Sequence, residues 1–274
     1  MLTKISKKCV VCNAEALLEA EFEDIKLYRC LNCRHCFTDT DSLNFFQEYN
    51  NQYYETNWSR NPNYKLFDFI SRRINKLCPS GLILEVGCGR GDFLEYLRKT
   101  NPKLVLTGID LSQQELNVIK FIRGDFLQID FQKSYDIIVS LVVIEHIVDV
   151  QKFAAKLHQM LKPSGYAIIM TIDEQGFLYW LARKLRDLGY RYAFERLYSR
   201  HHLNHFNAKS LDCLLTKQGF SKVELFHHNI PLECVDSGLN SFMGVLAKIG
   251  LFFIFLAGKF TKKSYLQTVI YRRN

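Results

Sequence analysis

Residues Ile83 to Leu97 read ILEVGCGRGDFLEYL. Apolar and β-branched side chains run into three glycines, Gly87, Gly89 and Gly91, and a helical pattern begins at Asp92. A strand that ends in bare backbone before a helix places a ligand at the carboxyl end of the first strand of an open parallel sheet. Glycine lets the chain approach that ligand with no Cβ in the way. The dinucleotide fingerprint G-x-G-x-x-G needs glycine at position 92, where Asp92 stands, and a carboxylate at a helix start repels a pyrophosphate. The loop therefore suits a nucleoside without phosphates. Glu85 precedes the loop, and Asp110 ends the next strand about 20 residues on, the usual place of a ribose-binding acid. Asp125, in GDF at 124–126, follows a third short strand.

Working outward, Asn61 is expected to cap a helix with Pro62 in its first position, and Phe67, Ile70, Ile74 and Leu77 fall on one face. Strands are expected at Leu82–Val86, Leu104–Ile109, Phe121–Ile122, Tyr135–Leu141 and Tyr166–Ile172. Helices are expected near 92–99, 112–119 and 150–161, with KPSG before Tyr166 as a turn. Strands alternating with helices imply a parallel sheet covered on both faces.

ILEVGCGRGDFL, GIDLS, GDF, YDIIVSLVVIEHIVD and LHQMLKPSGYAIIMT together resemble the ordered motifs of class I S-adenosylmethionine-dependent methyltransferases, across Ile83–Thr171. The resemblance implies a Rossmann-like α/β fold, with a seven-stranded, mostly parallel sheet and helices on both faces. It implies backbone contacts to the methionine part of S-adenosyl-L-methionine from Gly87, Cys88 and Gly89, within the loop closed by Gly91. Glu85 would orient the loop or the amino group. Asp110 would accept from both ribose hydroxyls with Leu111 against adenine, and Asp125 would accept from the adenine amino group. Phe126 would offer a backbone N–H and an apolar face. For Asp125 the other reading is a turn or N-cap residue. Methyl transfer asks for an acceptor held in line and dry, with a base where the acceptor is a hydroxyl.

Cys9-x-x-Cys12 and Cys30-x-x-Cys33 stand 17 residues apart, the spacing of two zinc knuckles. A block of about 40 residues buries little core, so metal would supply much of its folding energy. Four thiolates leave no open position, which makes Zn2+ structural; Cys36 and His35 are taken as bystanders. An N-terminal zinc ribbon followed by an aromatic connector resembles a subset of the same family, whose members act on small metabolites, sugars or cell-envelope intermediates. The expected organisation is a small β-type zinc ribbon over 1–41, an aromatic connector and helix over 42–80, and a methyltransferase domain over 81–274. The acceptor region falls at about 173–210 and an apolar helix at about 241–258.

Leu178, Leu181, Leu185 and Leu188 share a face of a helix whose other residues include Arg183, Lys184 and Arg186. That basic face is either solvated or a surface for phosphate or membrane. Asn207 or Ser210 is expected to start a helix that Gly219 ends. His146 in IEHI, with His202 and His205 in the later loop, should border the methyl site. His146 and His205 are the candidate catalytic bases, against the reading that they hydrogen-bond backbone and shape the pocket.

The 274 residues are 48% hydrophobic, with a formal charge of +8. That excludes global disorder and leaves phosphorylated substrates, a membrane surface or RNA open. Nine cysteines in a chain this long are not a disulfide scaffold, and no apolar run of signal length opens it; a cytoplasmic setting is expected. Phe242–Ala257 is too short to span a bilayer and is expected as a partly buried helix, with peripheral membrane contact as the second reading. The expected function is methylation, at oxygen, of a small-molecule, sugar or lipid-linked acceptor. Scattered basic residues and no N-P-P-[YF] pattern weigh against an RNA methyltransferase, and intact glycine and acid motifs weigh against a non-catalytic scaffold. The acceptor and the oligomeric state are left open.

Overall fold

Short apolar–polar alternation at the N-terminus folds as an antiparallel meander: β1 (Ser6–Lys8), β2 (Glu15–Phe22), β3 (Ile25–Cys30) and β4 (Cys36–Thr38). The computed structural model describes residues 5–44, 62–112, 119–232 and 242–274. The aromatic connector, the predicted cap Asn61 and most of the predicted 112–119 helix lie outside them.

Helix α1 (Tyr64–Leu77) starts later than its Pro signal implies. Asn63 is the N-cap, its Oδ1 accepting the Leu66 N–H at 3.2 Å, and Pro62 lies before the helix. An Asn side chain that reaches the third helical amide satisfies a donor proline cannot serve. Leu66, Phe67, Ile70 and Ile74 form the buried face.

Beyond it the chain alternates through β5 (Gly81–Val86), α2 (Asp92–Thr100), β6 (Leu104–Asp110), β7 (Lys120–Arg123), β8 (Tyr135–Leu141), α3 (Val150–Met160) and β9 (Leu161–Ile172). Next come α4 (Phe177–Asp187), α5 (Tyr192–Leu197), β10 (Asn204–His205), α6 (Ala208–Lys217), β11 (Phe220–His228), α7 (Phe242–Phe260) and β12 (Leu266–Arg273). KPSG does not break the chain into a turn. It bulges β9, with Ser164 at φ 62° and a register shift opposite Tyr135–Ile137.

The large sheet runs β7-β6-β5-β8-β9-β12-β11. All neighbours are parallel except β12, which is antiparallel to both β9 and β11. The chain enters at β5, builds outward to β7, then returns to β8 on the other side. The carboxyl ends of β5 and β8 therefore border the switch point where such sheets bind ligands. Buried side chains alternate between faces: Ile138, Ala167 and Ile169 pack with α3 and α6, while Ile137, Val139 and Ile168 pack with α1 and α2.

Two-residue β10 pairs not with the large sheet but with β4 of the N-terminal meander, Asn204 opposite Phe37 and His205 opposite Cys36. Cys9, Val11, Tyr28 and Phe37 share one apolar cluster with Phe206 and Leu211.

Candidate active site

Gly87, Gly89 and Gly91 all take positive φ, at 70°, 50° and 75°, which L side chains rarely adopt. Space is also closed at Gly87: a Cβ would lie 2.4 Å from Val143 Cγ2. The loop is tied to the end of β6. Gly87 and Cys88 donate to the Ile109 carbonyl at 2.8 and 3.2 Å, and Gly89 N–H donates to Asp110 Oδ2 at 2.8 Å. These amides are spent inside the protein, so the loop is no anion cradle. Cys88 turns its thiol toward Gly108 and offers only backbone.

Three acids lie at or just beyond the carboxyl ends of β5, β6 and β7. Asp110 is buried and also accepts from the Ser112 N–H and hydroxyl, at 2.9 and 2.7 Å. Glu85 is 3% exposed, and its Oε2 has no hydrogen-bond partner among the described residues. Burial, with Asp110 and Asp92 nearby, pushes the Glu85 carboxyl well above its ordinary range. Asp125 makes a turn, Oδ1 accepting the Leu127 N–H at 2.8 Å. Leu111 is half exposed beyond β6. The Phe126 side chain is core, against Phe131 and Phe153, which leaves its backbone as the part for a ligand.

Across the crevice, β8 leads through Val142, at φ 58°, into a 3₁₀ turn at Ile144–His146. His146 Nδ1 donates to the His201 carbonyl, and burial lowers this ring to about 4, so it is neutral at pH 7. Glu145 is fully buried, with Oε2 accepting the Thr171 hydroxyl at 3.0 Å. His202 stacks obliquely on His146, ring centroids 5.1 Å apart. His205 is fully buried between Tyr198 and His202, and neither ring nitrogen has a partner among the described residues. Burial drives it well below its ordinary pKa.

A family described as Methyltransferase domain matches residues 58–225, more than half of the chain. The chain belongs to this methyltransferase family. Its sequence is similar to a ubiquinone biosynthesis O-methyltransferase of Bradyrhizobium diazoefficiens, 29% identical over 47% of this chain and 53% of that one. It is also similar to a malonyl-[acyl-carrier protein] O-methyltransferase of Priestia megaterium, 30% identical over 35% and 38%. The chain thus spans about half, or less, of the length of these curated relatives. Its fold is similar to phosphoethanolamine N-methyltransferase 2 of Haemonchus contortus, TM-score 0.56, 18% identical, covering 77% of this chain and 52% of that one. A sarcosine dimethylglycine methyltransferase of Galdieria sulphuraria gives TM-score 0.53 and 14% identity over 77% and 86%.

The cysteines lie outside the matched stretch of this methyltransferase chain, but their meander packs on it through β10, Phe206 and Leu211. The Sγ atoms of Cys9, Cys12, Cys30 and Cys33 all lie within 4.8 Å of one another, with Cys9–Cys33 at 3.7 Å and Cys12–Cys30 at 3.3 Å. Zn–S bonds of about 2.3 Å in a tetrahedron separate sulfurs by about 3.8 Å, so the four fit one Zn2+. Both knuckles share a local geometry. The N–H two residues on, Val11 or Asn32, donates to the first sulfur at 3.4 Å, and Asn13 and Arg34 after the second take φ of 61° and 62°. Cys36 and His35 are buried outside the tetrad, His35 bonded to Asn204 Oδ1 at 3.1 Å.

Helix α4 corrects its sequence reading. Tyr179 and Ala182 are its buried residues, and Leu188 is exposed. Arg183 bonds the Glu174 carbonyl and carboxylate and the Tyr198 hydroxyl, while Arg186 lies 4.3 Å over the Phe194 ring. Only Lys184 of the three cations is left on an exposed face. Helix α6 has both expected starters, Asn207 and Ser210, in one reciprocal capping box. Glu145 is a site residue that the sequence motifs above do not mark. Its signal is the Glu-His pair just past the apolar strand β8, where carboxyl-end residues face the crevice.

Proposed function

We propose that the protein transfers a methyl group from S-adenosyl-L-methionine to the oxygen of a small-molecule or lipid-linked acceptor. One observation carries this reading. The glycine loop spends the Gly87, Cys88 and Gly89 N–H groups on the end of β6 and follows the buried Glu85, whose Oε2 has no hydrogen-bond partner among the described residues. Such a site repels phosphate and welcomes a cationic amino-acid end. Bound there, the donor supplies an activated sulfonium methyl. Glu85 and the carbonyls of Gly87, Cys88 and Gly89 hold its ammonium, with Gly91 closing the turn. Asp110 accepts from the ribose, Leu111 covers one adenine face, and Asp125 with the Phe126 amide reads the adenine edge.

His146 and His205 border the acceptor. Both are candidate general bases, and the His146 Nδ1–H is committed to the His201 carbonyl. The four cysteines are proposed to hold a structural Zn2+. Val245, Ile249, Phe252, Phe253 and Phe260 expose an apolar face on α7, which we assign to peripheral membrane contact, with a lipid-linked acceptor in view. No helix among the described residues is long and apolar enough to cross a membrane.

Isotope-labelled donor incubated with a metabolite and lipid extract tests the reading; a labelled ether product is expected. Failure to bind S-adenosylhomocysteine in calorimetry, with a nicotinamide dinucleotide bound instead, overturns it.

A further inference from the structure

Three side chains from two separate segments converge beside the glycine loop. Glu145 and His146 come from the turn after β8, and His202 from the stretch between α5 and β10. One ligand atom from each lies within 4.8 Å of the other two. Each group is held by one contact: Glu145 Oε2 by the Thr171 hydroxyl, His146 Nδ1 by the His201 carbonyl, and the His202 ring by the Leu197 backbone. Two further atoms are different. Glu145 Oε1 and His202 Nδ1 are buried with no hydrogen-bond partner among the described residues. Leaving two buried acceptors unmet is costly, and such atoms call for an occupant.

A cation meets the requirement that a water molecule serves poorly. Metal-ligating histidines donate their other N–H to a carbonyl or carboxylate, and ligating carboxylates are themselves hydrogen-bonded. Both marks are present here. Two imidazoles and one carboxylate form the donor set of catalytic zinc and of open divalent iron sites, which keep a position for a substrate oxygen. Val143, two residues before Glu145, lies against Gly87, so the cluster adjoins the donor loop.

We infer that Glu145, His146 and His202 bind a divalent first-row transition ion that takes the acceptor's hydroxyl as a further ligand. This rests on the methyltransferase reading and refines it, with His146 a ligand rather than the base. The coordinated hydroxyl loses its proton to solvent. Its oxygen lone pair forms the new O–C bond as the donor's S–C bond breaks, and the sulfonium leaves as a neutral thioether. No electron is gained or lost overall.

Metal content of the full-length protein, with Co2+ as the added probe, tests the assignment. Wild type should hold about two equivalents, one with thiolate-to-cobalt charge transfer and one without. His202→Gln and, independently, Glu145→Gln should weaken the second site by more than about 100-fold, since even an outer partner costs 10–100-fold. The thiolate band should persist in both variants and report that the ribbon is folded. A single, thiolate-only equivalent in wild type, or a second one unaffected by both substitutions, overturns the inference. Calorimetry with S-adenosylhomocysteine separates the two proposals: a bound second ion without nucleoside binding defeats the donor reading and leaves the metal site standing.

Discussion

Arg29, on strand β3 of the cysteine-bearing meander, donates through Nη1 to Glu174 Oε2 at 3.0 Å, and Glu174 lies just beyond β9 of the large sheet. Glu174 is fully buried and also bonds Arg183 and Tyr198, while Arg29 is held on its other side by Glu19. One carboxylate thus joins the N-terminal meander, the end of the central sheet and helix α4. Removing it deprives Arg183 of its carboxylate partner and leaves Arg29 with Glu19 alone, in a largely buried setting. Glu174→Leu should destabilise the fold by about 3–5 kcal/mol in urea unfolding. A loss under about 1 kcal/mol would show that the network is solvated and holds nothing in place.

The Zn2+ proposed at the paired knuckles predicts a meander that depends on metal. Cys30→Ser should lower zinc content by about one equivalent and depress the thermal midpoint, because a structural site supplies folding energy directly. Since β4 pairs with β10, the damage should reach the acceptor side first. Affinity for S-adenosylhomocysteine should stay within a few-fold while acceptor turnover collapses. Equal loss of both would place the ribbon's influence on the whole fold instead.

Donor binding should depend on Asp110 and Gly87 for separate reasons. Asp110→Ala removes charged acceptors, each worth about 1.5–3 kcal/mol, so the S-adenosylhomocysteine Kd should rise at least about tenfold. Gly87→Ala forces a Cβ to 2.4 Å from Val143 at a φ of 70°, and should abolish binding or fold the loop away. Unaltered calorimetric titrations for both variants would remove this loop from the donor site.

His228 supplies a pH dependence away from the proposed site. Its Nε2 meets the Thr268 hydroxyl at 2.9 Å between β11 and β12, and burial lowers the ring to about 4 from 6.5. A base depressed on folding stabilises fully above its unfolded pKa, and that contribution erodes as pH falls from about 6.5 toward 4. The denaturation midpoint should drop over this window, and His228→Gln should flatten the slope. An equally steep decline in the variant would assign the effect to other groups.

How much of this was legible beforehand differs by element. The strand–glycine–helix unit, Asp110 and the two cysteine pairs are local patterns, and each is found where its spacing places it. The cap of α1 lies two residues beyond the one its sequence signal marks, because Asn63 out-competes the proline signal through a side-chain bond that only a folded turn presents. The basic face of α4 is not legible in its spacing, because Arg183 turns to Glu174 just before the helix and Arg186 to Phe194 on the helix that follows.

The amino-acid order alone signalled the alternating α/β core, the glycine loop after its strand and the two cysteine pairs, since each signal lies in the spacing within one strand, loop or knuckle. Tertiary packing alone decided that β10 joins the meander, that Arg29 meets Glu174 across 145 residues of chain, and that His202 comes to lie with Glu145 and His146. Charge and hydrogen-bond demands set which groups need partners. Which distant partners they obtain depends on how the sheet order folds the chain back across its own switch point.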